Sequence, residues 1–240
     1  MIYTIGDLHL GLSVEKPMDI FGDNWKAHDE QIKENWLKTV KPEDTVIIPG
    51  DLSWGMGLEQ AKADFEFVNN LPGKKILLKG NHDYYWATIK KMEEFLKANH
   101  FDTISFLQNN SYVVENKVIV GTRGWVTNPE SEDDYKILRR ECERLELSIK
   151  DGLSKLKQTA NASDYEIIAF LHYPPFYREQ NIPEEIDFRK ILLKYGIKKC
   201  YYAHLHGHSH SEAIEGMQQD GITYKLVSSD YLGFELYSVK

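Results

Sequence analysis

The chain carries, at residues 75–83, the stretch KILLKGNHD, an apolar run that ends at Asn81, His82 and Asp83. A short apolar run of this kind is typical of a strand that is buried inside a parallel β-sheet. Side chains that follow such a strand lie at its carboxyl end, which is where open α/β sheets bind their ligands. The stretch therefore predicts an α/β fold with a functional site at the strand ends.

Four further stretches repeat this arrangement. They are IYTIGDLH at residues 2–9, TVIIPGD at 45–51, EIIAFLH at 166–172 and CYYAHLH at 200–206. Each one places an aspartate or a histidine directly after an apolar run. Together the five predicted strands would bring about seven oxygen and imidazole ligands to one edge, which is enough for two divalent cations that share a carboxylate.

Helical patterns alternate with the strands in the first hundred residues. Apolar residues recur at helical spacing over residues 25–39, 58–71 and 89–96, and Pro72-Gly73 ends the second of these patterns. Alternating strands and helices imply parallel strand pairs that are joined by right-handed crossovers.

The middle of the chain breaks this alternation. Short strands are predicted at residues 103–108, 112–115 and 117–121, with a hairpin-type turn near Asn116. The charged segment that follows, residues 131–158, has apolar residues at helical spacing. It predicts one long helix or a helical pair. We expect this segment to pack on the surface of one layer, and the alternative is a lid or a dimerisation element.

The last third returns to helix and strand. A helix is predicted at residues 187–195, with Gly196 as its stop signal. After it, residues 211–216, 222–228 and 234–239 have the pattern of an antiparallel meander with a turn at residues 219–221. Gly152, inside the long charged segment, is expected to bend the helix there.

Bulk composition narrows the class of protein. The 240 residues are 42% hydrophobic, so they can bury a sizeable core, and we expect a single domain over residues 1–240. The net charge of −8 disfavours non-specific nucleic-acid binding, which needs a basic face. No apolar run approaches the ~20 residues of a membrane span, and we expect no signal segment before the first strand. A disulfide between Cys142 and Cys200 is disfavoured, and we expect a cytoplasmic protein.

The five motifs, in this order, resemble those of the calcineurin-like metallophosphoesterase superfamily. The family pattern is Asp-x-His, Gly-Asp, Gly-Asn-His-Asp/Glu, a lone His and Gly-His-x-His. The matching residues here are Asp7-Leu8-His9, Gly50-Asp51, Gly80-Asn81-His82-Asp83, His172 and Ala203-His204-Leu205-His206. The resemblance extends from residue 1 to about residue 207. It implies an α/β (α+β) fold that is a four-layer αββα sandwich, in which helices flank two mixed β-sheets.

The resemblance also implies a centre of two divalent metal ions. One ion would bind Asp7, His9, Asp51 and His206, and the other would bind Asp51, Asn81, His172 and His204. Asp51 would bridge the ions, which lie ~3.5–4 Å apart in two-metal sites. Oxygen and imidazole ligands without thiolate suit Mn²⁺, which we expect, and also Fe, Zn²⁺, Co²⁺ or Mg²⁺.

The same resemblance implies a metal-dependent phosphohydrolase that would cleave a phosphodiester or a phosphomonoester. A metal-bound hydroxide beside the bridging Asp51 would attack phosphorus in line. His82 would contact the substrate and protonate the leaving oxygen, or stabilise its charge. Arg123 follows a predicted strand and could bind a phosphate oxygen, or it could form a structural ion pair. We expect a small phosphorylated substrate, nucleotide-like or another phosphoester.

The last motif departs from the family pattern, because Ala203 stands where a glycine is usual. A second pair of histidines, His208 and His210, follows at once. Since the predicted strand ends at His204, we expect His204 and His206 to be the ligands. The later pair would then lie on an exposed loop or contact the substrate.

Some residues near the motifs have two plausible roles. Asp83 either caps the helix that follows it or orients His82. The aromatic residues Trp54, Tyr84, Tyr85, Trp86 and Tyr173 could form a rim around the site or pack in the core. His28 and His100 are expected at the surface.

Three other functions stay open. A non-catalytic metal-binding scaffold on the same fold would tend to lose ligands or the catalytic histidine, and this chain retains them. A nuclease that acts on short nucleic acid would need a basic groove, and a protein phosphatase would need a peptide groove. The sequence indicates neither groove. No membrane partner is expected, and the oligomeric state is open.

Overall fold

Two β-sheets pack face to face at the centre of the computed structural model, which describes residues 1–159, 161–177 and 182–240. The elements follow in the order β1 (Ile2–Thr4), α1 (His28–Thr39), β2 (Thr45–Ile48), α2 (Leu58–Asn70), β3 (Lys74–Leu77), α3 (Ile89–Ala98), β4 (Ile104–Phe106), β5 (Tyr112–Val114), β6 (Lys117–Thr122), α4 (Glu132–Leu156), β7 (Glu166–Leu171), α5 (Phe188–Lys194), β8 (Lys199–Tyr202), β9 (Gly216–Met217), β10 (Thr223–Leu226) and β11 (Tyr237–Ser238). The predicted alternation of strand and helix through α3 is confirmed.

Both sheets are mixed. The first has the order β11-β1-β2-β3-β4, in which β1 to β4 are parallel and β11 runs antiparallel to β1. The second has the order β5-β6-β7-β8-β10-β9, in which the four inner strands are parallel and the edge strands β5 and β9 are antiparallel to their neighbours. Helices α1 to α3 cover the first sheet, and α4 and α5 cover the second. The predicted sandwich of two mixed sheets flanked by helices is confirmed.

The side chains of β2 show why its sequence is continuously apolar. Ile47 points toward the second sheet and belongs to the same buried cluster as Ile168 of β7. Val46 and Ile48 point the other way and belong to the cluster that contains Trp36 of α1. Because successive residues of a strand face opposite sides of the sheet, a strand between two cores needs apolar residues at every position.

The charged segment forms one helix, α4, which packs on the outer face of the second sheet. Its Ser131 N-cap accepts a hydrogen bond from the N–H of Asp134, whose carboxylate accepts one from the N–H of Ser131 in return. Leu138 and Leu145 belong to the buried cluster that also contains Val118 of β6. The prediction of a surface helix packed on one layer is confirmed, and the alternative of a helical pair is wrong.

Gly152 lies inside α4 and does not end or divide the helix. A Cβ atom on this residue would lie 2.7 Å from Cγ1 of Val118, closer than real Cβ atoms approach their neighbours. The glycine therefore permits a close approach of α4 to β6, and the bend expected there stays a prediction.

The end of the chain differs from the predicted meander. β9 and β10 form a hairpin whose turn is closed by the Gly221 N–H, which donates to the carbonyl of Gln218 at 2.9 Å. However, Gly207–Glu212 is a 3₁₀ turn, β10 also pairs in parallel with β8, and β11 joins β1 in the first sheet. The apolar pattern identified strands but did not identify which sheet each strand joins.

The ends of the helices follow the sequence signals closely. α2 ends at Asn70, just before Pro72-Gly73, and α5 is followed by Gly196 with φ +67°. α1 begins at His28, three residues later than predicted, because residues 23–25 form a 3₁₀ turn. Cys142 and Cys200 are buried free thiols. Within the described ranges, no helix is both long enough and apolar enough to cross a membrane.

Gly152→Ala is expected to destabilise the fold, although alanine is the better helix former by about 1 kcal/mol. The added methyl group would press on Val118, and overpacking of this kind typically costs about 1–3 kcal/mol. Urea unfolding measures the loss. In a Val118→Ala background the same substitution should cost much less, because the Cγ1 atom that it meets is gone. Equal costs in both backgrounds would contradict this account of the glycine.

Candidate metal centre

Strand ends from both sheets meet at one end of the sandwich. The loops after β1, β2 and β3 of the first sheet and after β7 and β8 of the second carry the seven ligands that the sequence predicted. The Gly6 N–H donates to the carbonyl of Val227 at 2.7 Å, and the Asp7 N–H donates to that of Gly50 at 3.0 Å. The first of these bonds joins the two sheets, and the second joins two loops of the first sheet. The expectation of a single sheet edge is corrected, because two sheets share the site.

Two groups of side chains come close enough to bind metal ions. The first group contains Asp7, His9 and His206, and the second contains Asp51, His172 and His204; within each group the ligand atoms lie within 4.8 Å of one another. Oδ2 of Asp51 is 3.7 Å from Nε2 of His9 and 3.6 Å from Nε2 of His172. Asn81 Oδ1 is 2.6 Å from Nε2 of His172. Asp51 therefore lies between the two groups, and Asn81 adjoins the second.

Unusual backbone conformations bring these side chains together. Four site residues have positive φ angles: Asp7 at +56°, His9 at +45°, Asp51 at +54° and His204 at +74°. The left-handed region costs a residue with a Cβ atom about 1–2 kcal/mol. Gly80 has a different role, because a Cβ atom at this position would overlap the carboxylate of Asp51. Strain of this kind persists where the surrounding structure enforces it, and it is concentrated at functional sites.

The carboxylate of Asp83 provides part of that enforcement. It is fully buried and accepts hydrogen bonds from the N–H groups of Gly80 at 2.7 Å, Asp51 at 2.9 Å and Leu52 at 2.9 Å. The two roles considered for it are therefore corrected. Helix α3 is capped by Thr88 instead. Asp83 holds the Asp51 loop, and the N–H of His82 donates to Asp51 at 2.8 Å.

Hydrogen bonds to the outer nitrogen atoms orient two of the histidines. Nδ1 of His172 lies 3.0 Å from the carbonyl of Pro49, which can only accept, so Nδ1 donates there and Nε2 faces Asn81 in the cluster. Nδ1 of His206 lies 2.9 Å from the carboxylate of Asp230. The same pairing of a histidine ligand with a carboxylate or a carbonyl is common around protein metal sites.

Asp230 is a residue that the sequence analysis missed. Its second oxygen lies 3.2 Å from Nε2 of His210 and accepts a hydrogen bond from the N–H of Gly207 at 3.2 Å. It follows β10, so it obeys the same rule as the other strand-end residues. The interpretation of residues 222–228 as part of a meander concealed that signal.

Burial shifts the pKa values of these residues in the direction that favours their uncharged forms. It raises the pKa of Asp7 to about 6 and the pKa of Asp51 well above its usual value, and it lowers the pKa of His204 to about 4. Oδ1 of Asp7 and Nδ1 of His9 are buried without a hydrogen-bond partner. Oδ2 of Asp7 accepts a hydrogen bond from the N–H of His204 at 2.9 Å, so Oδ1 alone is unsatisfied. A buried carboxylate oxygen without a partner costs free energy, and a bound cation would remove this cost.

His206 differs from the other histidines of the cluster. Burial opposes its protonated form, but the carboxylates of Asp7 and Asp230 outweigh burial and raise the pKa of His206. Asp230 therefore acts on His206 through both its hydrogen bond and its charge.

His82 lies at the rim of the cluster. Its ring centroid is 4.5 Å from that of Trp54 and 5.6 Å from that of His9. Burial, followed by the charges of His206 and Lys16, lowers the pKa of His82. The Nζ atom of Lys16 lies 4.6 Å above the Trp54 ring, on a loop that carries no recognisable motif. Lys16 could not have been found from the sequence pattern.

The predicted aromatic rim divides into two sets. The ring centroid of Trp54 is 4.9 Å from that of His9, on which it stacks, and the ring centroid of Tyr173 is 4.2 Å from that of His204. Tyr84 lies near His82, and its side chain is 52% exposed. Two further residues pack in the core: Tyr85 contacts Phe65 at 5.2 Å, and Trp86 contacts Phe106 at 5.3 Å. The first set surrounds the cluster, and the second set packs against α2 and β4.

The remaining candidates lie outside the cluster. Arg123 forms an ion pair with Glu141 at 3.6 Å, which is the structural alternative considered for it. His208 is exposed on the 3₁₀ turn. His28, expected at the surface, is half-buried with Nε2 3.2 Å from the carbonyl of His9. The structure therefore brings together His204 and His206, and not the second pair, with the other candidate ligands.

Comparison with known proteins gives a family and a fold. A family model described as calcineurin-like phosphoesterase matches residues 1–211. The crystal structure of a protein of unknown function from Aquifex aeolicus has a TM-score of 0.50 and 20% identity, and the alignment covers 99% of this chain and 94% of that one. The "Gene 66 protein" of Mycobacterium phage L5 is 35% identical over 77 residues, which are 32% of this chain and 37% of the phage protein. The matching protein of phage D29 is 37% identical over 83 residues, 34% of this chain and 40% of its own length. The chain thus spans about two fifths of these curated relatives.

Asp7→Asn is expected to stabilise the metal-free protein above about pH 6. Burial raises the pKa of Asp7 from 3.8 to about 6, so its contribution to stability is fully present below the unfolded pKa and is lost as the pH rises through about 6. A shift of about two pKa units corresponds to on the order of 3 kcal/mol. Urea unfolding in chelator should show a gain for the variant that grows between about pH 4 and about pH 6 and then levels off.

Asp230→Asn is the matched control for this prediction. Burial opposes ionisation of Asp230, but its hydrogen bond and charge interaction with His206 lower its pKa overall. Its stabilising contribution is therefore present above its unfolded pKa, and its removal should destabilise the protein near neutral pH. A gain for Asp7→Asn that does not change with pH would contradict the assigned burial effect.

Proposed function

The chain belongs to the calcineurin-like phosphoesterase family, and we propose that it is a dinuclear metal-dependent phosphohydrolase. The observation that carries the proposal is the position of Asp51. Its carboxylate lies within 3.7 Å of one histidine from each ligand group. A single carboxylate between two sets of oxygen and imidazole ligands is the arrangement that two neighbouring dications need, because it reduces their repulsion.

The residues of the cluster fit two divalent cations. The first ion would be held by Asp7, His9, Asp51 and His206, and the second by Asp51, Asn81, His172 and His204. The unpartnered oxygen of Asp7 supports this fit, since a cation would supply the missing interaction. Mn²⁺, Fe, Zn²⁺, Co²⁺ and Mg²⁺ all accept ligands of this type, and Mn²⁺ is the first ion that we would test.

When bound, such ions lower the pKa of water and stabilise charge on phosphate oxygens. The chain's own groups have the remaining tasks. The N–H of His82 anchors the loop to Asp51, while its ring faces outward beside Trp54. With a lowered pKa, the ring is neutral near pH 7 and still carries one N–H group. His82 would donate that hydrogen bond, or its proton, to the leaving oxygen.

Charge and surface favour a small substrate. The net charge of −8 gives no support for binding a long nucleic acid. Lys16 and the aromatic rings of Trp54 and Tyr173 adjoin the cluster. Lys16 would contact the phosphate, and the two rings would contact a flat organic group. We propose hydrolysis of a small phosphoester, with a slight preference for phosphodiesters. A nucleotide-like molecule would satisfy both contacts.

A paired assay tests the reaction. Mn²⁺-loaded protein should hydrolyse bis-p-nitrophenyl phosphate or p-nitrophenyl phosphate, and the ratio of the two rates chooses between diester and monoester. Chelation should abolish turnover. Asn81→Ala should lower turnover at least about tenfold, because it removes one of the proposed ligands of the second ion. No turnover and no bound metal would instead favour a scaffold on the same fold.

His82→Ala is expected to retain both metal ions and to lose about 10²–10⁴ in turnover, which is the usual contribution of proton transfer. Elemental analysis counts the ions, and the same assay gives the rate. His208→Ala is the matched control, since His208 is an exposed histidine outside the cluster, and it should leave both values unchanged. Full activity in His82→Ala, or loss of metal together with activity, would refute the role proposed for His82.

A further inference from the structure

His206 is the least enclosed member of the first ligand group. Its side chain is 32% exposed, whereas those of Asp7 and His9 are 0% and 5% exposed. Packing therefore restrains the His206 ring less than it restrains its two neighbours. The chain also turns directly after this residue, because Gly207 has φ +52° and begins the 3₁₀ turn Gly207–Glu212. A ligand in this position needs polar contacts that fix the orientation of its ring.

The Asp230 carboxylate supplies such contacts to the loop that carries His206. Its Oδ1 atom lies 2.9 Å from Nδ1 of His206. Its Oδ2 atom accepts a hydrogen bond from the N–H of Gly207 at 3.2 Å and lies 3.2 Å from Nε2 of His210. The Asp230 side chain is only 1% exposed. Because an ionised carboxylate only accepts, Nδ1 of His206 donates to it, and Nε2 faces the cluster, 3.3 Å from Nε2 of His9.

His210 belongs to the second histidine pair, which has no part in the proposed reaction. Its ring stands edge-on to that of Tyr231, with the two centroids 5.0 Å apart. Among the described residues, its buried Nε2 atom has no hydrogen-bond partner of good geometry, and the Asp230 carboxylate is the anion beside it. His206 and His210 thus contact different oxygens of a single carboxylate. Contacts at both oxygens limit the rotation of that carboxylate.

The two ligand groups have different supporting residues. In the segment after β10, the Ser229 hydroxyl donates to the carbonyl of Asp7 at 2.7 Å, and the Ser229 N–H donates to the carbonyl of Gly6 at 3.0 Å. This segment therefore supports two members of the first group, one through its backbone and one through its ring. In the second group, the carbonyl of Pro49 faces Nδ1 of His172. A neutral carbonyl there does what a carboxylate does in the first group.

We propose that Asp230 and His210 are positioning residues that fix the ring of His206 for the first metal ion. The inference rests on the two-ion centre of the proposed function, and it goes further because it assigns to one ion its own supporting residues. Asp230 holds the Nδ1–H group of His206 so that Nε2 faces the ion, and His210 holds the carboxylate in that orientation. Loss of either residue should weaken binding of the first ion and leave the second ion unchanged.

Calorimetric titration of the metal-free, full-length protein with Mn²⁺ tests each ion separately. Asn81→Ala weakens the second ion, so the first ion is measured in that background, and His9→Ala isolates the second ion in the same way. Asp230→Asn should weaken the first ion about tenfold to a hundredfold, which is the usual effect of removing the partner of a histidine ligand. It should leave the second ion within about twofold. Equal losses for both ions would show a general loss of structure and would overturn the inference.

Two substitutions of His210 keep the test decisive if Asp230→Asn fails to fold. His210→Gln retains an N–H group at about the position of Nε2, and it should keep the affinity for the first ion. His210→Phe retains the ring against Tyr231 but has no donor, and it should lower that affinity about threefold to tenfold, the size expected for one polar contact. If His210 served only to pack, the order of the two variants would be reversed. His208→Phe is the matched control at an exposed position and should have no effect.

Metal binding and hydrolysis separate this inference from the proposed reaction. Selective loss of the first ion, in a protein that hydrolyses no phosphoester, would support the inference and overturn the reaction. An active enzyme in which Asp230→Asn and His210→Phe bind Mn²⁺ as the wild type does would overturn the inference alone. A wild type that binds no Mn²⁺ would overturn both.

Discussion

The hydrogen bonds to the Asp83 carboxylate are the interaction on which the site depends. One buried carboxylate accepts the N–H groups of Gly80, Asp51 and Leu52, and it thereby fixes the loops after β2 and β3 to each other. Asp51 is held in a left-handed conformation by this arrangement, and its carboxylate then lies between the two ligand groups. Charge-assisted bonds of this kind are about twice as strong as neutral ones, which offsets the strained backbone.

The packing of two sheets is also needed for the site, because one sheet alone cannot supply all of the candidate ligands. β1, β2 and β3 place their ends opposite those of β7 and β8, and the bond from Gly6 to Val227 ties the two sheets together there. The aliphatic layer that contains Ile47 and Ile168 fixes how far apart the sheets lie. Packing between the sheets therefore sets the distance between groups that are far apart in the chain, such as Asp7 and His204.

The positions of the candidate ligands could be predicted because each follows a buried strand, and this signal is local. The fold class followed from the same runs and from the family pattern. Asp83 was misjudged because two of its partners, Asp51 and Leu52, come from a different loop, and its sequence position also suits a helix cap. Asp230 was missed because strand patterns do not reveal parallel pairing with β8. Gly152 resembles a helix breaker in sequence, and only the nearby Val118 reveals its role.

Two separate demands act on the site residues that have positive φ angles. The backbone conformation limits the residue type, and so does metal binding. At Asp7, His9, Asp51 and His204 the backbone favours glycine, asparagine or aspartate, whereas metal chemistry favours aspartate or histidine. A relative that lost its ions would be free to drift toward asparagine or glycine without loss of fold. Drift toward valine, isoleucine or threonine would be opposed by the backbone alone. The kind of residue that replaces a lost ligand therefore records which of the two demands was relaxed.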